Sequence, residues 1–347
     1  MASARGTIFI TGANGGLGSA LVSHITSSPE LSSYHGIYTV RDADNAPVVG
    51  SALTNNSFSH TSDVVSLDLT NLDSVRQTAH ATNTRVSNQE IPPIRALILN
   101  AGFQDWGHQT WTADGYDTTF SANYLGQWLL SLLLLKSMDK DKGRIIILGS
   151  QSHDPYDPRN TATGAFNDKK YKLFIDDETS LGKIASGTWS SAKEDPSWRS
   201  GFRRYGAAKL FLVMMVHELQ QRMTHEPVLK NISVLGVDPG TMSTGMQRQA
   251  SWFIRVFIFR LLYPLLAWIR PPGPARSTGQ SASDVLQAAF DSNETLGEFP
   301  RDVYLDGTRL FEPSAESKDV KKRALVWKQT VEMAGLKPND TILKSYL

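Results

Sequence analysis

A tyrosine and a lysine four residues apart carry the clearest chemical signal in this sequence. The segment Tyr205-Gly-Ala-Ala-Lys209 lies in a predicted helix, where residues four apart share one face, so the phenol and the ammonium group are neighbours. A nearby positive charge stabilises phenolate and lowers a tyrosine pKa that is ordinarily about 10. Of the ten tyrosines, Tyr205 alone has a lysine at the fourth following position. The pair therefore predicts a proton donor and acceptor, with small residues between that leave room for a bound molecule.

A glycine-rich turn near the N-terminus predicts a pyrophosphate site. It follows an apolar, strand-like run and opens the first predicted helix. Its glycines let the backbone turn tightly and expose the amides of the helix N-terminus, whose dipole favours phosphate. The strand before and the helix after favour a dinucleotide site over a plain glycine-rich turn. The expected cofactor contacts in this turn are Thr11, Gly12, Asn14, Gly16, Leu17 and Gly18.

The residues that end the second and third predicted strands bear on the choice of cofactor. Arg41 and Asp42 follow the second strand: an arginine accommodates the 2′-phosphate of NADP, whereas an acidic residue binds the ribose 2′-hydroxyl of NAD. Because Arg41 comes first after the strand, we expect NADP(H), with a solvated Arg41 and NAD as the alternative. Asp68, followed by Leu69, ends the third strand, where its carboxylate either meets the adenine amino group or caps a turn.

Short apolar runs alternate with helical patterns along the chain. This alternation predicts an α/β fold, a doubly wound (Rossmann) parallel seven-stranded sheet with helices on both faces, in a single domain over residues 1–347. The predicted strands are Thr7–Thr11, Gly36–Val40, Asp63–Asp68, Arg95–Asn100, Arg144–Gly149, Ile232–Asp238 and Asp302–Leu305. The predicted helices are Gly16–Thr26, Asp73–Thr82, Asp114–Ser137, Phe202–Arg222 and Ser281–Phe290.

Two stretches interrupt the alternation. Residues 151–200 form a polar insertion, and residues 241–274, after the sixth strand, are expected to form a substrate lid. Long excursions inside compact domains are usually functional lids or disordered insertions. The aromatic stretch 252–270 within the lid predicts either a buried lid helix or an amphipathic patch for a membrane surface or a dimer partner. Arg255 and Arg260, which lie inside the apolar part of this stretch, argue against a transmembrane helix.

The composition excludes several classes of function. Thirty-five basic residues against 34 acidic ones give a net charge of +1, and no basic stripe suggests nucleic-acid binding. The chain has no cysteine, so disulfides and thiolate metal sites are excluded and no metal site is expected. The N-terminus lacks the apolar core of a secretory signal. We expect a cytoplasmic protein, with peripheral membrane contact through 252–270 and a homodimer as open alternatives.

The ordered set of motifs resembles the short-chain dehydrogenase/reductase superfamily over nearly the whole chain. The set consists of the glycine-rich turn, Asn100-Ala-Gly102, Asn123, Ser150 and Tyr205–Lys209. The apolar run that ends at Ser150, with His153 three residues on, is similar to retinol-dehydrogenase-like and protochlorophyllide-reductase-like members. We expect His153 to support the site rather than to react. The sequence of the C-terminal region, including Glu312-Pro-Ser-Ala-Glu316 and Leu325-Val-Trp-Lys328, is similar to that of fungal members, many of which act on secondary metabolites.

The resemblance implies a role for each matching residue. Tyr205 is implied as general acid in reduction, and Lys209 as the group that hydrogen-bonds the nicotinamide ribose and lowers the tyrosine pKa. Ser150 is implied as a donor to the substrate carbonyl oxygen, with Ser152 as a weaker rival. Asn123 is implied to hold a water that links Lys209 to solvent. Further cofactor contacts are implied at Asn100, Ala101, Gly102, Pro239, Gly240 and Thr244.

The sequence departs from the family pattern in two places. Leu99 stands where many relatives carry an asparagine. The separation of Ser150 and Tyr205 by about 55 residues is far longer than in most relatives. This insertion keeps the catalytic pair but leaves the substrate entrance open: Asp154, Tyr156 and Asp157 either line it or belong to a polar loop.

The expected activity is NADPH-dependent reduction of a ketone or aldehyde on an apolar small molecule. By analogy with fungal relatives, the substrate class includes polyketide or pyridone-type secondary-metabolite intermediates. Two other functions remain open: a non-redox dehydration or cyclisation with bound NADP, and an NADP-sensing protein that works by partner binding. The retained Asn123, Ser150, Tyr205 and Lys209 favour the reductase.

Overall fold

A central eight-stranded sheet carries the fold, with strand order β3-β2-β1-β4-β5-β6-β7-β8. The computed structural model describes residues 4–54, 58–242, 275–294 and 296–346. In chain order the strands are β1 (Thr7–Thr11), β2 (His35–Val40), β3 (Ser62–Ser66), β4 (Ile94–Leu99), β5 (Arg144–Leu148), β6 (Ser233–Asp238), β7 (Val303–Asp306) and β8 (Arg309–Leu310). Strands β1 to β7 pair in parallel, and the strand order reverses between β1 and β4. The predicted doubly wound fold is confirmed.

The predicted number of strands was one too low. The additional strand, β8, pairs antiparallel with β7 through Leu305↔Leu310 and Asp306↔Arg309. It has only two residues, both exposed, so it leaves no run of apolar residues in the sequence. Four of the seven predicted strands are buried on both faces: every residue of β1, β2, β5 and β6 is buried. Such strands appear in the sequence as continuous apolar runs.

Helices cover both faces of the sheet. They are α1 (Gly16–Ser27), α2 (Pro47–Thr54), α3 (Leu72–Ser87), α4 (Thr118–Phe120), α5 (Gly126–Leu134), α6 (Pro158–Thr161), α7 (Ser180–Ala185), α8 (Trp198–Thr224), α9 (Thr278–Phe290), α10 (Ala315–Lys318) and α11 (Val320–Ala334). One core cluster joins the sheet to α3, α5, α8 and α11, and a second joins it to α1, α2 and α9. The active-site helix α8 is thus held between the sheet and the C-terminal helix.

The long helix predicted over Asp114–Ser137 is present from Thr118 to Ser137, but it changes type along its length. Asp117 caps the short α4 by accepting hydrogen bonds from the N–H groups of Thr119 and Phe120, at 2.8 and 3.3 Å. A π-helical segment, Ser121–Leu125, then joins α4 to α5. Such π segments often occur at functional sites, and this one contains Asn123. Its apolar pattern does not differ enough from that of an α-helix to be recognised in the sequence.

The 151–200 insertion is folded and has a packed aromatic interior. Phe174 packs against Phe166 and Trp189, with ring centroids 6.0 and 5.2 Å apart. Tyr171 makes an edge contact with Trp189, and all these rings except Trp189 are buried. The interior belongs to the same core cluster as α5 and α8. Because the aromatic residues are spread singly among polar ones, the composition alone did not predict this packing.

The predicted lid, 241–274, is described only at Thr241 and Met242. Thr244 and the aromatic stretch 252–270 lie outside the described residues, so the expectations placed on them stay predictions. In the part of the chain that is described, no helix is both long and apolar enough to cross a lipid bilayer.

Candidate active site

Tyr205, Lys209 and Ser150 meet at the carboxyl edge of the sheet. Tyr205 and Lys209 lie one turn apart on α8 and are buried, and half-buried Ser150 lies two residues after the end of β5. The Ser150 side chain interacts with the Tyr205 phenol and acts to lower its pKa. The Lys209 ammonium lies 5.4 Å from the Tyr205 ring centroid and donates a 2.6 Å hydrogen bond to the carbonyl of Leu148, the last residue of β5. The structure therefore brings three of the predicted catalytic residues together.

Burial dominates the electrostatics of this group. It raises the pKa of Tyr205 above its ordinary value, and the charge of Asp238 raises it further, while the Ser150 hydrogen bond lowers it. From Lys209 alone we expected a lowered Tyr205 pKa. The total shift is upward instead, because desolvation of the phenolate is the largest effect. Burial also lowers the pKa of Lys209 to about 8, against the opposing charge of Asp238. The phenol is held in its protonated form, which is the form a general acid needs.

The two candidate serines occupy different positions. Ser152 is fully buried, and its hydroxyl donates to Ser150 Oγ at 3.1 Å. Its backbone N–H donates to the same oxygen at 3.3 Å. Ser152 thus fixes the Ser150 side chain, which in turn contacts Tyr205. This arrangement favours Ser150 over Ser152 as the residue that faces a bound molecule.

His153 supports the loop behind Ser150. Its Nδ1 lies 2.6 Å from the Ser150 carbonyl oxygen, and its Nε2 accepts a hydrogen bond from the Ser314 N–H at 3.1 Å. This pattern requires a neutral ring that donates from Nδ1. Burial lowers the His153 pKa, which keeps the ring neutral. Both ring nitrogens are thereby used, and they join the Ser150 backbone to the backbone of Ser314.

Asn123 holds the loop after β4 rather than contacting Lys209. Its side-chain oxygen accepts from the Phe103 N–H at 2.9 Å, and its amide nitrogen donates to the carbonyls of Phe103 and Thr119 at 2.7 Å each. Gln127 donates to the Asn123 main-chain carbonyl at 2.9 Å. Both polar atoms of the Asn123 side chain are thus bonded to the protein. The implied role of Asn123, holding a water that links Lys209 to solvent, stays a prediction and would fall to its main chain.

The glycine-rich turn closes tightly against the end of β4. Gly12 has φ +69°, a conformation that favours glycine, and a Cβ there would lie 2.9 Å from Ala101 Cα. A Cβ on Gly18 would lie 2.3 Å from the Gly12 carbonyl oxygen. Asn100 braces the turn, donating to the carbonyls of Thr11 and Gly12 at 2.8 and 3.3 Å. Because the backbone segments approach so closely, a side chain at Gly12 or Gly18 would clash, so the turn needs glycine. The absence of side chains there also leaves the start of α1 accessible to a phosphate.

Several predicted cofactor contacts have their side chains bonded within the protein. The Thr11 hydroxyl accepts from the Ala101 N–H and donates to Gln127, at 2.9 and 3.1 Å. The Asn14 side chain accepts from the N–H groups of Val48 and Val49, both at 3.0 Å, and so anchors α2. Thr11 and the side-chain oxygen of Asn14 therefore shape the turn, and the cofactor contacts expected at both residues stay predictions. Leu17 and Gly18 are buried in α1, while Gly16 and Gly102 are more accessible.

The residues after β2 and β3 differ in how freely they can reach a ligand. Arg41 is exposed, and among the described residues none forms a hydrogen bond or an ion pair with its side chain. Asp42 is also exposed, but its carboxylate accepts from the Asp44 N–H at 3.1 Å. Asp68 Oδ1 accepts from the N–H and hydroxyl of Thr70, at 2.9 and 2.7 Å. Asp68 thus closes a turn, as the alternative interpretation predicts, and leaves Oδ2 for another donor. Leu69 is buried in the core.

The sequence reasoning missed three residues beside the site. Asp238 is buried at the end of β6, directly before Pro239-Gly240, and Arg159 from the insertion forms an ion pair with it at 3.4 Å. Tyr304, in β7, extends its side chain over the neighbouring glycines Gly236 of β6 and Gly149 after β5. A Cβ added to Gly149 would lie 2.2 Å from its hydroxyl, and one added to Gly236 would lie 2.4 Å from its ring, so only glycine leaves room for this side chain. A charged residue at the end of an apolar strand is a signal that could have identified Asp238. No local pattern identifies Arg159.

The chain is similar to short-chain dehydrogenases in sequence and in fold. The family model for short chain dehydrogenase matches residues 6–162. The chain is 42% identical to the short-chain dehydrogenase iccH of Talaromyces variabilis over 99% of each chain. It is 30% identical to the chloroplastic protochlorophyllide reductase of Pisum sativum, over 96% of this chain and 78% of that protein.

Solved structures share the fold at lower sequence identity. An uncharacterized protein from Mycobacterium paratuberculosis matches with a TM-score of 0.60 and 21% identity, covering 96% of this chain and 95% of that one. The NADPH-bound carbonyl reductase from chicken fatty liver matches with a TM-score of 0.54 and 17% identity, covering 89% and 99%.

A doubly wound sheet, a glycine-rich turn after its first strand and a Tyr–Lys pair beside a serine define an oxidoreductase that uses a nicotinamide cofactor. The full-length identity to a curated member shows that the chain belongs to the short-chain dehydrogenase family. The resemblance drawn from the sequence motifs is confirmed.

Proposed function

We propose that the protein is an NADPH-dependent reductase of a ketone or aldehyde on an apolar small molecule. The single observation that carries the proposal is the convergence of three side chains: the Lys209 ammonium lies 5.4 Å from the Tyr205 ring centroid, and Ser150 interacts with the same phenol. This group lies at the carboxyl edge of the parallel sheet, where ligands bind in such folds, and next to the glycine-rich turn.

In the proposed reduction, Ser150, Tyr205 and Lys209 each have a separate role. Ser150 donates a hydrogen bond to the substrate carbonyl oxygen, where negative charge develops, and Tyr205 transfers its proton to that oxygen. Lys209 stabilises the resulting phenolate and holds the nicotinamide ribose. When bound, the cofactor supplies the hydride. At neutral pH Tyr205 is protonated, which is the state from which a general acid starts.

A free arginine after β2 supports NADPH over NADH. Arg41 is exposed and makes no ion pair with the described residues, so its guanidinium is available for a 2′-phosphate, whereas the Asp42 carboxylate already accepts the Asp44 N–H. We expect Arg41→Ala to weaken NADPH binding by about ten- to hundredfold and NADH binding by less than about twofold. Titration of both cofactors against nicotinamide fluorescence measures this, with Asp42→Asn as the neighbouring control. Equal weakening of the two cofactors by Arg41→Ala would exclude the assignment.

The buried ammonium predicts an alkaline limit to activity. Because burial lowers the Lys209 pKa to about 8, the charge is lost as pH rises through that value. We expect kcat/KM to be level below about pH 8 and to fall about tenfold per pH unit above it. Lys209→Arg keeps the charge, so the fall should move upward even if activity is lower overall. Rates from about pH 6 to about pH 10 test this; an unchanged alkaline limb in Lys209→Arg would assign the limb to another group.

The proposed substrate class has support from one relative and one structural neighbour. The curated relative at 42% identity is a fungal short-chain dehydrogenase, and a structural neighbour is a carbonyl reductase. We infer an apolar ketone of the secondary-metabolite kind. Purified protein is incubated with NADPH and a panel of aromatic, polyketide-like and pyridone-type ketones, and NADPH absorbance and product mass are followed together. Loss of NADPH that depends on a ketone supports the proposal. Product formed without loss of NADPH would instead indicate a dehydration or cyclisation.

A further inference from the structure

The 151–200 insertion contributes one charged side chain to the end of the sheet beside the active site. Asp157 caps α6, and Arg159 in the first turn of this helix extends its guanidinium over the ends of β6 and β7. Arg159 Nη2 lies 2.7 Å from Asp157 and 3.4 Å from Asp238, and Nη1 lies 3.2 Å from Asp306. The face of the guanidinium packs on the Phe311 ring at 5.5 Å. Arg159 is thus held in one position by contacts on several sides.

Asp238 holds the turn that follows β6. Its Oδ1 accepts from the Gly240 N–H at 3.0 Å, and Gly240 has φ +74°, so the carboxylate stabilises a tight turn around Pro239. Arg276 Nη1 donates to the Asp238 main-chain carbonyl at 3.1 Å. The turn Asp238–Gly240 is the segment expected to contact the nicotinamide end of the cofactor.

The second oxygen of Asp238 depends on Arg159. Asp238 is only 3% exposed, and its Oδ2 accepts no hydrogen bond among the described residues, so the ion pair with Arg159 is the direct contact that compensates its charge there. The other nearby guanidinium, Arg276, is engaged by Asp306 at 2.6 Å and Asp284 at 4.0 Å. A buried carboxylate that loses its cation is strongly destabilised.

We infer that Arg159 is a positioning residue for the nicotinamide end of the nucleotide site, through which the insertion holds the Asp238–Gly240 turn in its binding conformation. The inference rests on the proposed function only in taking NADPH as the cofactor. It gives the insertion a defined role: the guanidinium that forms an ion pair with Asp238 comes from this segment.

Two ligands separate this role from a general structural one. NADPH reaches the Asp238–Gly240 turn, whereas 2′,5′-ADP carries only the adenine half and ends at the glycine-rich side. We expect Arg159→Met to weaken NADPH by about tenfold and 2′,5′-ADP by less than about twofold. Arg159→Lys keeps the charge without the planar fork and should fall between the wild type and Arg159→Met. Arg199→Met, an exposed arginine of the same insertion that donates to the Thr163 carbonyl, is the matched control and should bind both ligands as the wild type does.

A double-mutant cycle tests the pairing itself. Asp238→Asn keeps an acceptor for the Gly240 N–H and removes the charge, so it should weaken NADPH by no more than about threefold, and Arg159→Met/Asp238→Asn should bind like Asp238→Asn alone. Kd values come from calorimetry or nicotinamide fluorescence, and thermal unfolding shows that each variant is folded. Equal weakening of NADPH and 2′,5′-ADP by Arg159→Met, no weakening of NADPH, or no rescue by Asp238→Asn would each overturn the inference. Turnover is not measured, so a protein that binds NADPH but reduces no ketone contradicts the proposed function and leaves this test intact.

Discussion

Replacing Tyr205 by phenylalanine is expected to lower kcat for ketone reduction by about 10²- to 10⁴-fold, the range that general acid catalysis supplies. The substitution removes one oxygen atom and keeps the ring that packs beside Lys209, so the helix and the nucleotide site should keep their shape. The hydroxyl is the only group of Tyr205 that hydrogen-bonds Ser150 and the only one that can give up a proton. We therefore expect the NADPH Kd to change by less than about twofold while turnover is lost.

The measurement is kcat and KM with the best ketone from the panel, together with the NADPH Kd. Tyr156→Phe makes a matched control, because Tyr156 is 70% exposed in the insertion and its loss of a hydroxyl should leave kcat unchanged. A Tyr205→Phe enzyme that retains more than about a tenth of wild-type kcat would show that another group donates the proton. If the wild type consumes no NADPH with any ketone, the reductase proposal itself is contradicted.

The second large effect is expected on stability, at a buried ion cluster next to the catalytic tyrosine. Arg204, which precedes Tyr205 on α8, is 2% exposed and forms ion pairs with Asp105 and Asp117, both 1% exposed. It also donates to the Ser190 carbonyl of the insertion. We expect Arg204→Met to lower the free energy of unfolding by about 3–5 kcal/mol, because two buried carboxylates would lose their cation.

Both carboxylates also accept other hydrogen bonds, which hold them in place and prevent them from turning towards solvent when Arg204 is removed. Asp117 caps α4 and accepts from Gln109 at 2.8 Å, and Asp105 accepts from the Gly107 N–H at 2.8 Å. Burial already raises the Asp117 pKa, which Arg204 opposes. Urea unfolding at neutral pH measures the effect, with exposed Arg301→Met as the control. A change below about 1 kcal/mol would mean that water or a shifted side chain replaces the guanidinium.

Much of the nucleotide site and the proton-transfer pair could be predicted from short-range pattern. Strand β1, Thr7–Thr11, was predicted to the residue because a strand buried on both faces is a continuous apolar run with a glycine turn at its end. Tyr205 and Lys209 were paired correctly because helix geometry alone makes residues four apart neighbours. The direction of the Tyr205 pKa shift was wrong, because burial of the phenol is a property of the folded chain.

Other residues could not be assigned because their partners are distant in sequence. The side-chain oxygen of Asn14 accepts from the first N–H groups of α2, a helix that the sequence pattern did not predict, whereas the cofactor contact expected of Asn14 stays a prediction. The polar insertion was expected to be a lid or disordered. The structure shows that it encloses an aromatic interior and supplies Arg159 to the end of β6. The buried contact of Arg204 with Asp105 spans 99 residues, which no local motif reports.

By itself the sequence determined the class of fold, the position of the glycine-rich turn and the pairing of Tyr205 with Lys209. These depend on periodicity and on spacings of a few residues, which the backbone geometry of helices and strands converts directly into position. The tertiary structure decided the protonation of Tyr205, the supporting roles of Asn14, Asn123 and Ser152, and the link between Arg159 and Asp238. Those properties come from desolvation and from charges brought together across the chain, and both exist only after the core has closed.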